Sequence, residues 1–126
     1  MSAAIENAAK GLLIIRITGK FTHPEWVALQ NEARRHIQQH GRIRLLIIVE
    51  KFQGWERGGD WGDVSFQAEF DKAIERMALV GEQRWEDLSL MFTAKGFRPF
   101  PIEYFPPADL ARAKAWVSEG GGSATG

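Results

Sequence analysis

The sequence predicts an α/β fold: one domain holding a five-stranded mixed, mostly parallel sheet with four helices. Three observations predict it. Leu45–Val49 reads Leu-Leu-Ile-Ile-Val, five apolar residues with no alternation, so both faces need cover, as in a central parallel strand. Apolar stretches of strand length take turns along the chain with stretches of helical period. The segment after the central strand, Glu50–Gly62, carries four glycines and two tryptophans before a helix begins. In open α/β sheets the ligand crevice lies beyond the carboxyl end of such a strand.

Taken in order, Ala3–Asn7 is expected as a short edge strand that turns through residues 8–11 into a strongly apolar strand, Leu12–Thr18. Gly19 is expected to end that strand. Thr22 and Glu25 have capping-box spacing, and Pro24 sits in the first turn, where its missing N–H costs nothing. Trp26, Leu29, Ala33 and Ile37 recur at helical spacing as an inward stripe, opposite Asn31, Glu32, Arg35 and Gln39. Gly41 stops the helix. Arg42–Val49 is the central strand. Asp60 or Asp63 caps a second helix to about Arg76, with Phe66, Phe70, Ala73, Ile74 and Met77 on one face. Met77–Val80 reads as a short strand closed by Gly81. A third helix is expected over residues 82–94, with Trp85, Leu88, Met91 and Phe92 inward. Pro99 and Pro101 force an extended approach to a last strand, Ile102–Phe105. Asp109–Val117 forms a final helix facing in through Leu110, Ala113 and Trp116. Residues 1–117 make the domain, and 118–126, rich in Gly and Ser, are expected as a flexible tail.

Composition narrows the function classes. The 126 residues suit one domain with a single real core. Sixteen basic and sixteen acidic side chains cancel, so no global field draws in nucleic acid, and none is expected as a partner. With no cysteine, disulfides, thiolate metal sites and a cysteine nucleophile are excluded. The first residues lack a basic start and an apolar run, so no signal peptide is expected, and nothing reaches the length of a membrane span. The expected location is the cytoplasm, at most peripheral to a membrane.

Several short motifs, taken as an ordered set, carry a resemblance. They are Ile17-Thr18-Gly19-Lys20-Phe21, Leu45–Val49 with Phe52, Gly54 and Trp55 after it, Met77–Gly81 leading to Trp85, and Tyr104-Phe105 followed by Ala113 and Trp116. With the opening hairpin and the alternation of helix and strand, the chain resembles the STAS fold of anti-sigma-factor antagonists. Within that group it resembles the SpoIIAA-like family of small bacterial proteins. The likeness implies a binding or regulatory module, and the fold is similar to Sec14-type lipid-binding domains. Regulatory STAS domains are phosphorylated on Ser or Thr where the helix after the central strand starts, typically in an Asp-Ser-Ser-Gly-like stretch. Here that stretch is Gly58–Ser65, and its one hydroxyl, Ser65, falls beyond the expected position. That departure argues against control by a kinase.

Phe52, Trp55, Trp61, Phe66 and Phe70 crowd the segment after the central strand and the second helix, with Trp85 and Phe92 on the third. Two readings stay open: aromatics that pack helices on a sheet, or an apolar surface for a lipid-like ligand or a membrane. Exposure of Trp55 and Trp61 decides between them, because tryptophans beside glycine and charge suit an interface better than a core. Gly54-x-x-x-Gly58-Gly59 with Arg57 has the makings of an anion-binding loop at a helix start. It lacks the Gly-Lys-Ser/Thr of a P-loop, and Asp60 and Asp63 stand where an anion needs positive potential.

His36 and His40 are four apart, but Ile37 stands where a zinc-protease pair has Glu, and no third ligand follows, so no metal is expected. Glu56, Asp60, Asp63 and Glu69 read as caps or solvated helix residues, and a helix start favours the charged carboxylate over a proton donor. Ser65 has no histidine with a sequence reason to sit beside it. No catalytic residue and no cofactor are expected. The expected function is a non-catalytic binding module for an apolar or lipid-like ligand or a membrane surface. The alternative is a module that docks a protein partner, and exposed aromatics make a homodimer plausible.

Overall fold

Among the described residues, the central strand is covered by one long helix on each side of the sheet. The computed structural model describes residues 3–9, 11–55, 71–87, 90 and 100–122. In order these give β1 (Ala3–Ala9), β2 (Leu12–Phe21), α1 (His23–His40), β3 (Ile43–Trp55), β4 (Ile74–Val80), β5 (Ile102–Phe105) and α2 (Leu110–Gly122). Short 3-10 turns at Asp71–Ala73, Gln83–Trp85 and Pro107–Asp109 lead into β4, follow it, and lead into α2. All five strands lie side by side in chain order. β1 pairs antiparallel with β2, and β2 to β5 run parallel.

Alternation along each strand divides the apolar residues into two cores. On one face, Leu13, Ile15, Ile17, Ile43, Leu45, Met77 and Leu79 pack against Leu29, Ala33 and Ile37 of α1. On the other, Leu12, Ile14, Leu46, Ile48, Ala78 and Val80 pack against Ala113 and Val117 of α2. An unbroken apolar run such as Leu45–Ile48 therefore feeds both cores at once.

The cap signals of α1 hold. Thr22 Oγ1 accepts from the Glu25 N–H at 3.4 Å, and Glu25 Oε1 accepts from the Thr22 N–H at 3.0 Å. Gly41 ends the helix at φ +86°, a conformation that a side chain would strain. α2 is fixed to the sheet by two arginines as well as by its apolar face. Arg76 Nη1 donates to the Trp116 carbonyl and Arg44 Nη1 to that of Ser118, each at 2.8 Å.

Several expected boundaries are corrected. β2 continues through Gly19 to Phe21, because Gly19 at φ +68° stays in the ladder. β3 runs to Trp55, so residues 50–55 are strand where a loop was expected. Ile74–Arg76, expected as a helix end, open β4, which buries Ile74. α2 extends to Gly122, past the expected start of the tail. In place of four α-helices, two are described. Of the rest of the second expected helix, residues 71–73 form a 3-10 turn, and everything from its expected start at Asp60 or Asp63 to residue 70 lies outside the described residues. The third opens as a 3-10 turn, with 86, 87 and 90 helical and most of the remainder undescribed. No described helix is long and apolar enough to cross a membrane.

Candidate functional site

Side chains of β3 alternate regularly from Ile43 to Val49, with Ile43, Leu45, Ile47 and Val49 on the α1 face. Continued alternation would turn Phe52 to the α2 face. The ladder with β2 shows why it does not. Thr18 pairs with Glu50 and Gly19 with Phe52, so Lys51 is an extra residue; Lys20 then pairs with Gly54, so Gln53 is another. Each inserted residue reverses the face on which the next side chain falls. The two bulges return Phe52, and then Trp55, to the α1 face, where both join the core. Lys51 adopts φ +49° to make the first bulge, a backbone cost on the order of 1 kcal/mol.

Trp85 enters from the turn after β4. Phe52 meets Trp55 and Trp85 at centroid separations of 4.9 Å each, with interplanar angles of 87° and 76°. Trp55 and Trp85 are 6.2 Å apart at 79°. All three contacts are edge-to-face, the arrangement that the ring quadrupoles favour. Phe21 pairs with Trp55 in the ladder and meets Trp26 of α1 edge-on at 6.4 Å. The result is an aromatic wall along the carboxyl end of β2 and β3. Phe52 is buried within it at 3% exposure, whereas Trp55 and Trp85 are half-buried.

The backbone beside the wall is shaped for it. Gly54 lies at φ +100°, and a Cβ there would sit at ordinary contact distance, 3.6 Å, from Cη2 of Trp85. Arg84 stacks its guanidinium 5.1 Å from the Trp85 ring centroid and pairs with Glu82 at 3.5 Å. Tyr104 donates its hydroxyl to the Glu82 carbonyl at 2.8 Å and pins the exit of β4. The indole Nε1 of Trp85 is buried and has no hydrogen-bond partner among the described residues.

Of the residues singled out from sequence, Phe52, Trp55 and Trp85 come together. Trp61, Phe66, Phe70 and Phe92 lie outside the described residues, as do Arg57, Gly58 and Gly59 of the anion-loop reading and the acidic candidates Glu56, Asp60, Asp63 and Glu69. Sequence reasoning missed the parts played by Phe21 and Trp26 in the wall. Their signal was the apolar pair flanking the capping box, which reads as ordinary core until the register is known. His36 and His40 stack at 5.9 Å and 24°, and no group of three potential ligands among the described residues is placed to hold a metal. What the wall offers is ring surface for dispersion contact and one indole donor.

A mostly parallel sheet with a described helix on each face is the layering of an α/β module of the STAS type. The SpoIIAA-like family profile matches residues 12–118. The chain belongs to the SpoIIAA-like family. It is similar in fold to an uncharacterized protein of the DUF3478 family with a SpoIIAA-like fold from Shewanella loihica PV-4, at 22% identity over 91% of each chain and a TM-score of 0.66. No curated protein gives a sequence match.

Proposed function

We propose that this SpoIIAA-like chain is a non-catalytic binding module that holds an apolar or lipid-like ligand against the aromatic wall of Phe52, Trp55 and Trp85. The observation that carries the reading is the pair of bulges in β3. Lys51 stands at positive φ, and two insertions in succession turn the last aromatics of β3, Phe52 and Trp55, to the one face where Trp85 meets them. The wall lies at the carboxyl end of parallel strands, where ligands of open α/β sheets collect. Its two half-buried indoles suit a surface that is covered by a guest.

Native mass spectrometry of the full chain after gentle purification, together with flotation on phosphatidylcholine vesicles, tests this. The chain is expected to retain an apolar small molecule or to float, and Trp55→Ala is expected to weaken that by about tenfold, the effect of losing one large buried ring contact. A chain that carries nothing and does not float, or a Trp55→Ala variant that matches the wild type, would overturn the proposal.

A further inference from the structure

The wall contains one group that an ordinary hydrocarbon core does not need. Trp85 Nε1 is a donor only, it is buried, and it finds no acceptor among the described residues. Buried polar groups in folded proteins are hydrogen-bonded almost without exception, so an orphan donor asks for an explanation. Phenylalanine would fill an aromatic cluster at no such cost. On the same side of the sheet, one turn beyond Trp26 along α1, the side-chain nitrogen of Gln30 is likewise buried without a partner. Among the described residues, the face that packs against α1 thus holds two unanswered donors.

We infer that the ligand of this site is an amphiphile whose apolar body lies on the aromatic wall and whose carbonyl or carboxylate oxygen accepts the hydrogen bond of the Trp85 indole. This rests on the apolar-site reading above and specifies the ligand's chemistry. An acceptor oxygen removes the desolvation penalty of the donor, so oxygenated guests are preferred over hydrocarbons of the same shape.

The test uses two shape-matched probes, 2-acetylnaphthalene and 2-ethylnaphthalene, titrated into the full chain and followed by proton–nitrogen correlation spectra of the indoles. The Trp85 signal is assigned as the one lost in Trp85→Phe. The ketone is expected to bind about tenfold more tightly than the hydrocarbon, to move the Trp85 indole signal, and to lose its advantage in Trp85→Phe. Equal binding of the two probes with an unmoved indole signal would overturn this inference while leaving an apolar site intact. Binding of neither probe would overturn both readings. A strong exchange-resolved contact between the Trp85 N–H and bound water, persisting when the ketone is added, would assign the donor to a structural water and overturn the inference alone.

Discussion

Gly81 marks the place where a single atom decides the local geometry. A Cβ built there would stand 2.7 Å from the Tyr104 hydroxyl and 3.4 Å from Cβ of Val49. The hydroxyl cannot simply move aside, because it is held by the Glu82 carbonyl. Gly81→Ala should therefore cost about 1–3 kcal/mol of stability in urea unfolding. In a Tyr104→Phe background, where the clashing oxygen is gone, most of that loss should vanish. An equal loss in both backgrounds would mean that Val49 and the backbone, not the hydroxyl, set the constraint. Gly54 is limited differently, since its neighbours leave room but its φ of +100° does not suit a side chain. Gly54→Ala is expected to cost about 1 kcal/mol or more through backbone strain. Its clearest trace should be a changed environment for Trp85, read as a shift in that indole's resonance.

Elements respond to changes in register more than to changes in residue type. Deleting Lys51 removes one of the two bulges of β3 and should send Phe52 to the opposite face of the sheet. A Phe lost from a core costs about 3–5 kcal/mol, so this deletion should be far more damaging than Lys51→Gly, which keeps the bulge and relieves its positive φ. If the two variants unfold at similar denaturant concentrations, the bulge does not aim Phe52. For α2, the arginine contacts predict that the helix needs its last turns. A chain ending at residue 117 loses the Ser118 carbonyl that Arg44 holds, and it should be less stable than one ending at 122 by about 1–2 kcal/mol. Arg76→Met, which keeps apolar contact with Trp116 but removes the hydrogen bond and the stacked cation, should lower amide protection in α2 more than in α1.

At the scale of the whole molecule the two cores share every central strand. The same stretch of β3 sends Leu45 to one and Leu46 to the other, so neither face can melt alone without stripping the other of its support. Fluorine-labelled tryptophan gives separate reporters: Trp85 on the α1 face and Trp116 on the α2 face. Their signals should be lost at the same urea concentration, and two separated midpoints would show that the faces unfold independently. Charge is balanced over the same molecule, with sixteen residues of each sign and an isoelectric point near 6.8. Binding of the apolar ligand proposed for the wall should therefore depend little on ionic strength.

Local signals carried much of this architecture. The capping box of Thr22 and Glu25, the stop at Gly41 and the inward stripe of Leu29, Ala33 and Ile37 were all legible, because cap chemistry and helical period act over a few residues. The unbroken run of Leu45–Val49 was enough to require two covered faces and hence an α/β sheet. What sequence alone could not determine was the far end of β3. Glu50–Trp55, with its charges and glycine, looks like loop in isolation and is strand because β2 pairs with it through Phe21. The grouping of Phe52, Trp55 and Trp85, and the orphaned indole among them, were likewise decided by tertiary structure. Each depends on how many residues one strand inserts against another, and pairing across the sheet leaves no periodic mark in either segment read by itself.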